Sequence, residues 1–119
     1  MTILVIDDDV AELIEAMLIS AGHEVNIALD GDRAFQIYCE RGPYDLVLTD
    51  WDHPGMGACE LISAILENHP SQHFGFVTAY PPHQERFRFI KTHPSLQKPF
   101  EAAQLLDFVK ASARWSIWS

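Results

Sequence analysis

Four places in the chain carry groups that could act together: the acidic triplet Asp7-Asp8-Asp9, the lone Asp50, Thr78 and Lys98. Carboxylates held close together do not all stay ionised without a cation, because each raises the pKa of the others. Counting Asp7, Asp8 and Asp50 as −3 and Lys98 as +1 leaves −2, the charge that one divalent ion offsets. Hard oxygen donors in a partly hydrated site favour Mg²⁺ or Mn²⁺ over zinc. A carboxylate kept ionised beside such an ion can attack a phosphoryl group and become an aspartyl phosphate. The metal and a lysine then stabilise the equatorial oxygens, and the Thr78 hydroxyl can complete the cradle. Taken singly, each residue has a plainer reading: an aspartate after a strand caps a helix, and Lys98-Pro99 makes a turn. Convergence at one place decides between these readings.

The elements that must position these groups alternate. Apolar runs of strand type and segments of helical period follow one another five times, the pattern of a parallel sheet wrapped by helices. Residues 2 to 7 (TILVID) read as a strand, and Val10, Leu13, Ile14, Met17, Leu18 and Ala21 then repeat at three and four until Gly22. Residues 24 to 28 (EVNIA) precede a helix that opens at Asp30 or Gly31 and runs through Ala34, Phe35 and Tyr38 to Gly42-Pro43. Residues 45 to 49 (DLVLT) precede a helix over 58 to 68, with Ala58, Leu61, Ile62, Ile65 and Leu66 on one face and Pro70 after it. Residues 73 to 78 (HFGFVT) lead through Pro81-Pro82 to a short helix near 83 to 91. Residues 95 to 97 (SLQ) form a brief strand before a helix over 101 to 114, marked by Ala102, Leu105, Leu106 and Val109. Right-handed crossovers make this an open doubly wound α/β sheet, whose site lies at the carboxyl ends of the strands where the strand order reverses. Asp7, Asp8, Asp9, Asp50, Thr78 and Lys98 each fall at such an end.

Bulk properties narrow the function classes. A chain of 119 residues fits a single domain, 1–119, with a tail from about 115, and 48% hydrophobic against 21% charged residues is the balance of a folding globular protein. Seventeen acidic and eight basic residues give a net charge of −9, which repels phosphate backbones and anionic lipid, so direct nucleic-acid binding is not expected. No apolar run approaches the ~20 residues of a membrane span, and MTILVIDDD is no secretory signal, so a cytoplasmic location is expected. Cys39 and Cys59 read as small buried thiols, and the dispersed histidines, with Pro70 between His69 and His73, give no transition-metal site.

The stretches ILVIDDD at 3–9, LVLTDWDHPGM at 46–56, FVTA at 76–79 and QKPF at 97–100 jointly resemble the response-regulator receiver domains of two-component signalling, including the single-domain chemotaxis type. The resemblance spans nearly the whole chain and implies a flavodoxin-like (βα)5 fold with strand order 2-1-3-4-5. It implies Asp50 as phosphoacceptor, Asp8 as a direct Mg²⁺ ligand, Asp7 as a ligand acting mainly through water, and the backbone carbonyl of Asp52 as a further ligand. Thr78, the backbone N–H of Ala79 and Lys98 would contact the phosphoryl oxygens, and Lys98-Pro99 would be a cis peptide. The partners implied are a histidine kinase or histidine phosphotransfer protein and a downstream protein not identified by the sequence. The chain would be a monomer or weak dimer, a stand-alone module and a phosphoacceptor rather than an enzyme.

The sequence also departs from the family. Met56-Gly57-Ala58 stands where receivers commonly read Met-Asp-Gly, and His53, in place of an apolar residue, reads as a loop histidine without a function. Ser95 stands where many receivers place Tyr or Phe, so the familiar threonine-aromatic switch is expected to be missing; Phe87 or Phe89 could replace it, although aromatics at helical spacing are ordinarily core. Asp52 and Tyr80, each two residues beyond a site residue, could tune the phosphate's lifetime. Trp115, Ile117 and Trp118 form either a partner surface or a tail folded back on the domain. Two other function classes stay open: an adaptor that binds a protein partner independently of phosphorylation, and a metal-dependent phosphohydrolase with Asp52 as general acid. The chain has no residues to spare for the cap that such a hydrolase needs.

Overall fold

The computed structural model describes residues 1–50, 55–79 and 94–114. In chain order these form β1 (Thr2–Ile6), α1 (Ala11–Ser20), β2 (Glu24–Ala28), α2 (Gly31–Arg41), β3 (Leu46–Thr49), α3 (Ala58–Asn68), β4 (Phe74–Thr78), β5 (Ser95–Gln97) and α4 (Ala102–Arg114). The strands make one parallel sheet in the order β2-β1-β3-β4-β5, the flavodoxin-like arrangement. The helix expected near 83–91, with Phe87 and Phe89, lies outside the described residues, as do Asp52, His53, Tyr80, Trp115, Ile117 and Trp118.

Alternation along the strands divides the core into two layers. Leu4, Ile6, Val47, Phe74 and Phe76 face α2 and α3, where they meet Ala34, Ile37, Leu61, Ile62 and Ile65. Ile3, Val5, Leu46, Leu48 and Val77 face the other way and meet Ala11, Ile14 and Leu18 of α1 and Leu105 and Val109 of α4. Gly75 allows α4 to come close: a Cβ there would stand 2.9 Å from Ser112 Oγ and 3.1 Å from the Phe108 ring. The helix ends follow local chemistry. Asp30 caps α2 by accepting from Arg33 N at 2.7 Å, and Gly22, at φ +91°, turns the chain after α1.

Several details differ from the sequence reading. Leu13 is 53% exposed, because α1 presents Ala11, Ile14 and Leu18 to the sheet and Leu13 lies about 100° round the helix from Ile14. In α4 the buried face runs through Leu105, Val109 and Ser112, and Ala102 is exposed. Cys39 and Cys59 are exposed rather than buried. Each directly follows a buried position, Tyr38 or Ala58, and is therefore turned off the core face.

At the amino ends of β3 and β4, the buried side chain of Gln72 acts like an extra peptide unit. Its Oε1 accepts from Tyr38 Oη at 2.6 Å and from Tyr44 N at 3.0 Å, and its Nε2 donates to the carbonyls of Tyr44 at 2.8 Å and His73 at 3.0 Å. This uses both amide protons and both acceptor directions. The Gly42-Pro43 peptide just before Tyr44 is cis.

Candidate functional site

The sheet ladder continues for one bond beyond several strands, and these extra bonds place the site. Asp7 N donates to Ala28 O at 3.1 Å, Asp50 N to Ile6 O at 2.9 Å, and Lys98 N to Thr78 O at 2.8 Å. Each chemically competent residue is thus fixed by its own backbone at the carboxyl edge before its side chain makes any contact. Two central strands, β1 and β3, deliver the carboxylates, and β5 delivers the ammonium.

The side chains converge. Lys98 Nζ lies 2.7 Å from Asp7 Oδ2 and 3.1 Å from Asp50 Oδ2. The other Asp7 oxygen, Oδ1, accepts from Asp9 N at 2.8 Å and Val10 N at 3.0 Å, so the buried Asp7 also ties down the turn into α1. Val10, at the start of that helix, makes no side-chain cap of its own, and the Asp7 carboxylate takes the task instead. Asp8 is exposed, at the mouth of the cluster. Burial alone would lower the Lys98 pKa. The hydrogen bonds to Asp7 and Asp50, together with their charges, outweigh it, and Lys98 is held above its ordinary range.

Asp7, Asp8 and Asp50 each offer a carboxylate oxygen, and these three oxygens lie within 4.8 Å of one another. Three hard donors at such spacing, with a net negative charge left over after Lys98, suit a small divalent cation. Thr78 is buried at the end of β4, and Ala79 follows it as an exposed bend. The Lys98-Pro99 peptide is cis, as the resemblance implies. Asp52 and Tyr80 lie outside the described residues.

One contact near this site has no signal in the sequence. Asp32, an exposed residue in the first turn of α2, accepts from Met56 N through Oδ2 at 3.3 Å. A first-turn aspartate reads only as a favourable charge at a helix N-terminus, and the residue it holds is 24 positions away.

Comparisons with known proteins agree with this geometry. The family model for the response regulator receiver domain matches residues 3–110. The transcriptional regulatory protein DltR of Streptococcus agalactiae is 31% identical over 120 residues, covering 98% of this chain but only 53% of DltR, so the chain spans about half the length of that relative. Among solved structures, the receiver domain of a Pseudomonas aeruginosa sensor histidine kinase, described with a magnesium ion coordinated in its active-site cleft, is 26% identical. It superposes with a TM-score of 0.81, over 94% of this chain and 96% of that one. The chemotaxis response regulator CheY4 of Vibrio cholerae shares the fold at a TM-score of 0.82 and 22% identity, over 93% of this chain and 97% of its own. A five-stranded parallel sheet in the order 2-1-3-4-5, an acidic cluster at its carboxyl edge and a family match over residues 3–110 lead to one conclusion: the chain belongs to the response regulator receiver domain family.

Proposed function

We propose that this chain is the phosphoacceptor of a two-component phosphorelay, taking a phosphoryl group onto Asp50 from a histidine kinase or histidine phosphotransfer protein. The observation that carries the reading is the gathering of three carboxylate oxygens within 4.8 Å beside the Lys98 ammonium. Asp7, Asp8 and Asp50, joined by the backbone carbonyl of Asp52, would hold Mg²⁺ or Mn²⁺. The bound ion supplies charge neutralisation for the phosphoryl oxygens.

In the transfer, an Asp50 carboxylate oxygen forms a bond to phosphorus while the phosphorus–nitrogen bond of the phosphohistidine breaks. The imidazole nitrogen leaves with the electron pair. Lys98 already touches both Asp7 and Asp50, so it can follow the negative charge from the Asp50 carboxylate to a phosphoryl oxygen without a large movement. The Thr78 hydroxyl and the Ala79 N–H lie at the edge from which the other oxygens can be met. Asp8, exposed at the mouth, is the carboxylate best placed for direct metal contact. Asp7 already serves backbone amides and Lys98, and acts on the metal mainly through water. Phosphorylation changes the affinity for a downstream protein only by as much as that protein discriminates between the two states. Asp52 and Tyr80 tune the lifetime of the phosphate.

Incubation with Mg²⁺ and a small phosphodonor, followed by intact mass measurement, tests the proposal. A gain of one phosphate in the parent and none in Asp50→Asn is the expected result. No gain even with a histidine kinase points to the phosphorylation-independent adaptor, and multiple turnover of phosphate monoesters points to a hydrolase.

A further inference from the structure

The last residue of β3 puts a polar side chain in an apolar place. All four residues of Leu46–Thr49 are buried, and Thr49, in register with Ile6 of β1 and Phe76 of β4, ends a strand that otherwise reads Leu-Val-Leu. Two residues after Val47, it faces the same core layer, which Leu4, Ile6 and Phe76 also line. Valine would serve the strand and the packing with the same branched shape. What valine lacks is the hydroxyl, and Thr49 Oγ1 donates to the backbone carbonyl of Asp50 at 2.8 Å. Asp50 N in turn donates to Ile6 O at 2.9 Å. The main chain of Asp50 is therefore held on both sides of its Cα, by the sheet before it and by the Thr49 hydroxyl after it.

We propose that Thr49 is a positioning residue for the phosphoacceptor, fixing the direction in which the Asp50 carboxylate leaves the strand. Holding the N–H and the carbonyl of Asp50 sets its φ and ψ, and these decide which side-chain rotamers it can adopt. The choice matters because the carboxylate stands beside those of Asp7 and Asp8, whose like charges repel it, and 3.1 Å from Lys98 Nζ, which attracts it. The inference rests on the reading of Asp50 as phosphoacceptor. Thr49 is assigned no contact with metal or phosphoryl group: it acts through the main chain of Asp50. A purely structural hydroxyl would change the stability of the fold and leave the folded site as it is, whereas a positioning hydroxyl changes the site in protein that is fully folded.

Thr49→Val and Thr49→Ser in the full chain separate the two. Three-bond χ1 couplings of Asp50 in metal-free protein report its rotamer without metal or phosphate, and initial rates with Mg²⁺ and acetyl phosphate report the reaction. The Val variant is expected to show couplings averaged between rotamers and to take up phosphate about three- to tenfold more slowly than the parent. The Ser variant, which keeps the donor, is expected to recover the parent's couplings and a rate within about twofold. Thr49→Ala, compared with Thr49→Ser, repeats the removal of the hydroxyl in a pair that both lack the methyl group. Parent-like couplings or a parent-like rate in the Val variant overturn the inference while leaving the phosphoacceptor reading intact, and so does a Ser variant as slow as Val. A parent protein that takes up no phosphate overturns the phosphoacceptor reading and this inference with it.

Discussion

Lys98 Nζ sits 2.7 Å from Asp7 Oδ2, closer than its 3.1 Å approach to Asp50, so at rest the ammonium is shared between the two strands that carry the carboxylates. A divalent cation entering the cluster would draw on two of the same carboxylates as Lys98. Lys98→Met is therefore expected to bind Mg²⁺ more tightly, by about three- to tenfold, because it removes one positive charge from the site. On the proposed function, the same variant should accept phosphate from a small donor at least about tenfold more slowly, since it would lack the ammonium assigned there to the transferring phosphoryl oxygens. Magnesium titration and initial phosphorylation rates, measured on the same preparation, check both halves.

Asp50→Asn removes one of three neighbouring like charges and keeps an oxygen that can accept from Lys98. In metal-free buffer it should be more stable than the parent by about 1 kcal/mol. If the cluster takes up Mg²⁺ as proposed, the added ion should stabilise the parent by binding its folded form and close the gap. Urea denaturation with and without Mg²⁺ reads the difference, and a gap that ignores the metal would count against the shared cation site.

Alkaline pH should unfold the protein through its tyrosines. Burial, with the neighbouring Tyr44, pushes Tyr38 up to about 12, and burial also raises Tyr44 against a smaller opposing effect of Arg41. Between pH ~10 and 12 the unfolded chain loses the Tyr38 proton while the folded chain keeps it, so stability falls as pH rises through that window. The fall attributable to Tyr38 is on the order of 2–3 kcal/mol, and Lys98, also raised, adds to it with the same sign. Tyr38→Phe should start about 1 kcal/mol less stable, having lost its bond to Gln72, and then decline less steeply above pH ~10. Denaturant titrations at intervals from pH 8 to 12 test the slope.

The contact of α4 with β4 gives a pair of opposite expectations. Gly75→Ala forces a methyl group against Ser112, Leu48 and Phe108, and should cost about 1–3 kcal/mol. Ser112 is fully buried and its hydroxyl has no hydrogen-bond partner among the described residues, so Ser112→Ala should be neutral or stabilising by up to about 1 kcal/mol. Thermal melts of the two single variants suffice.

The sheet and its carboxyl edge could be read from sequence because they depend on local periods and on residues adjacent to strand ends. TILVI, LVLT and FGFVT are dense apolar runs, and Asp7, Asp50 and Lys98 follow their strands immediately, so the topology alone brings them together. Helix faces were harder to fix. Leu13 satisfies an apolar period as well as Ala11 does, and only packing shows that the sheet takes the smaller residue. Cys39 and Cys59 are exposed for a related reason: position on the helix, not residue type, decides their burial. Asp32 and Gln72 escaped altogether. Asp32 holds the Met56 N–H and Gln72 holds the Tyr44 backbone and the Tyr38 hydroxyl, all more than 20 positions away, and a polar side chain that satisfies a distant group leaves no periodic trace.

Gln72 lies at the amino ends of β3 and β4, whereas the carboxylates lie at the carboxyl ends, a strand's length of roughly 15 Å away. The knot of Tyr38, Tyr44 and Gln72 ties α2 to the amino edge of the sheet using neutral groups alone, in a place that the charge changes of the acidic end do not reach. Energetic independence follows: variants taken one from each end should combine additively. An engineer could therefore reinforce the neutral end for heat tolerance and leave the acidic end to evolve its signalling kinetics separately.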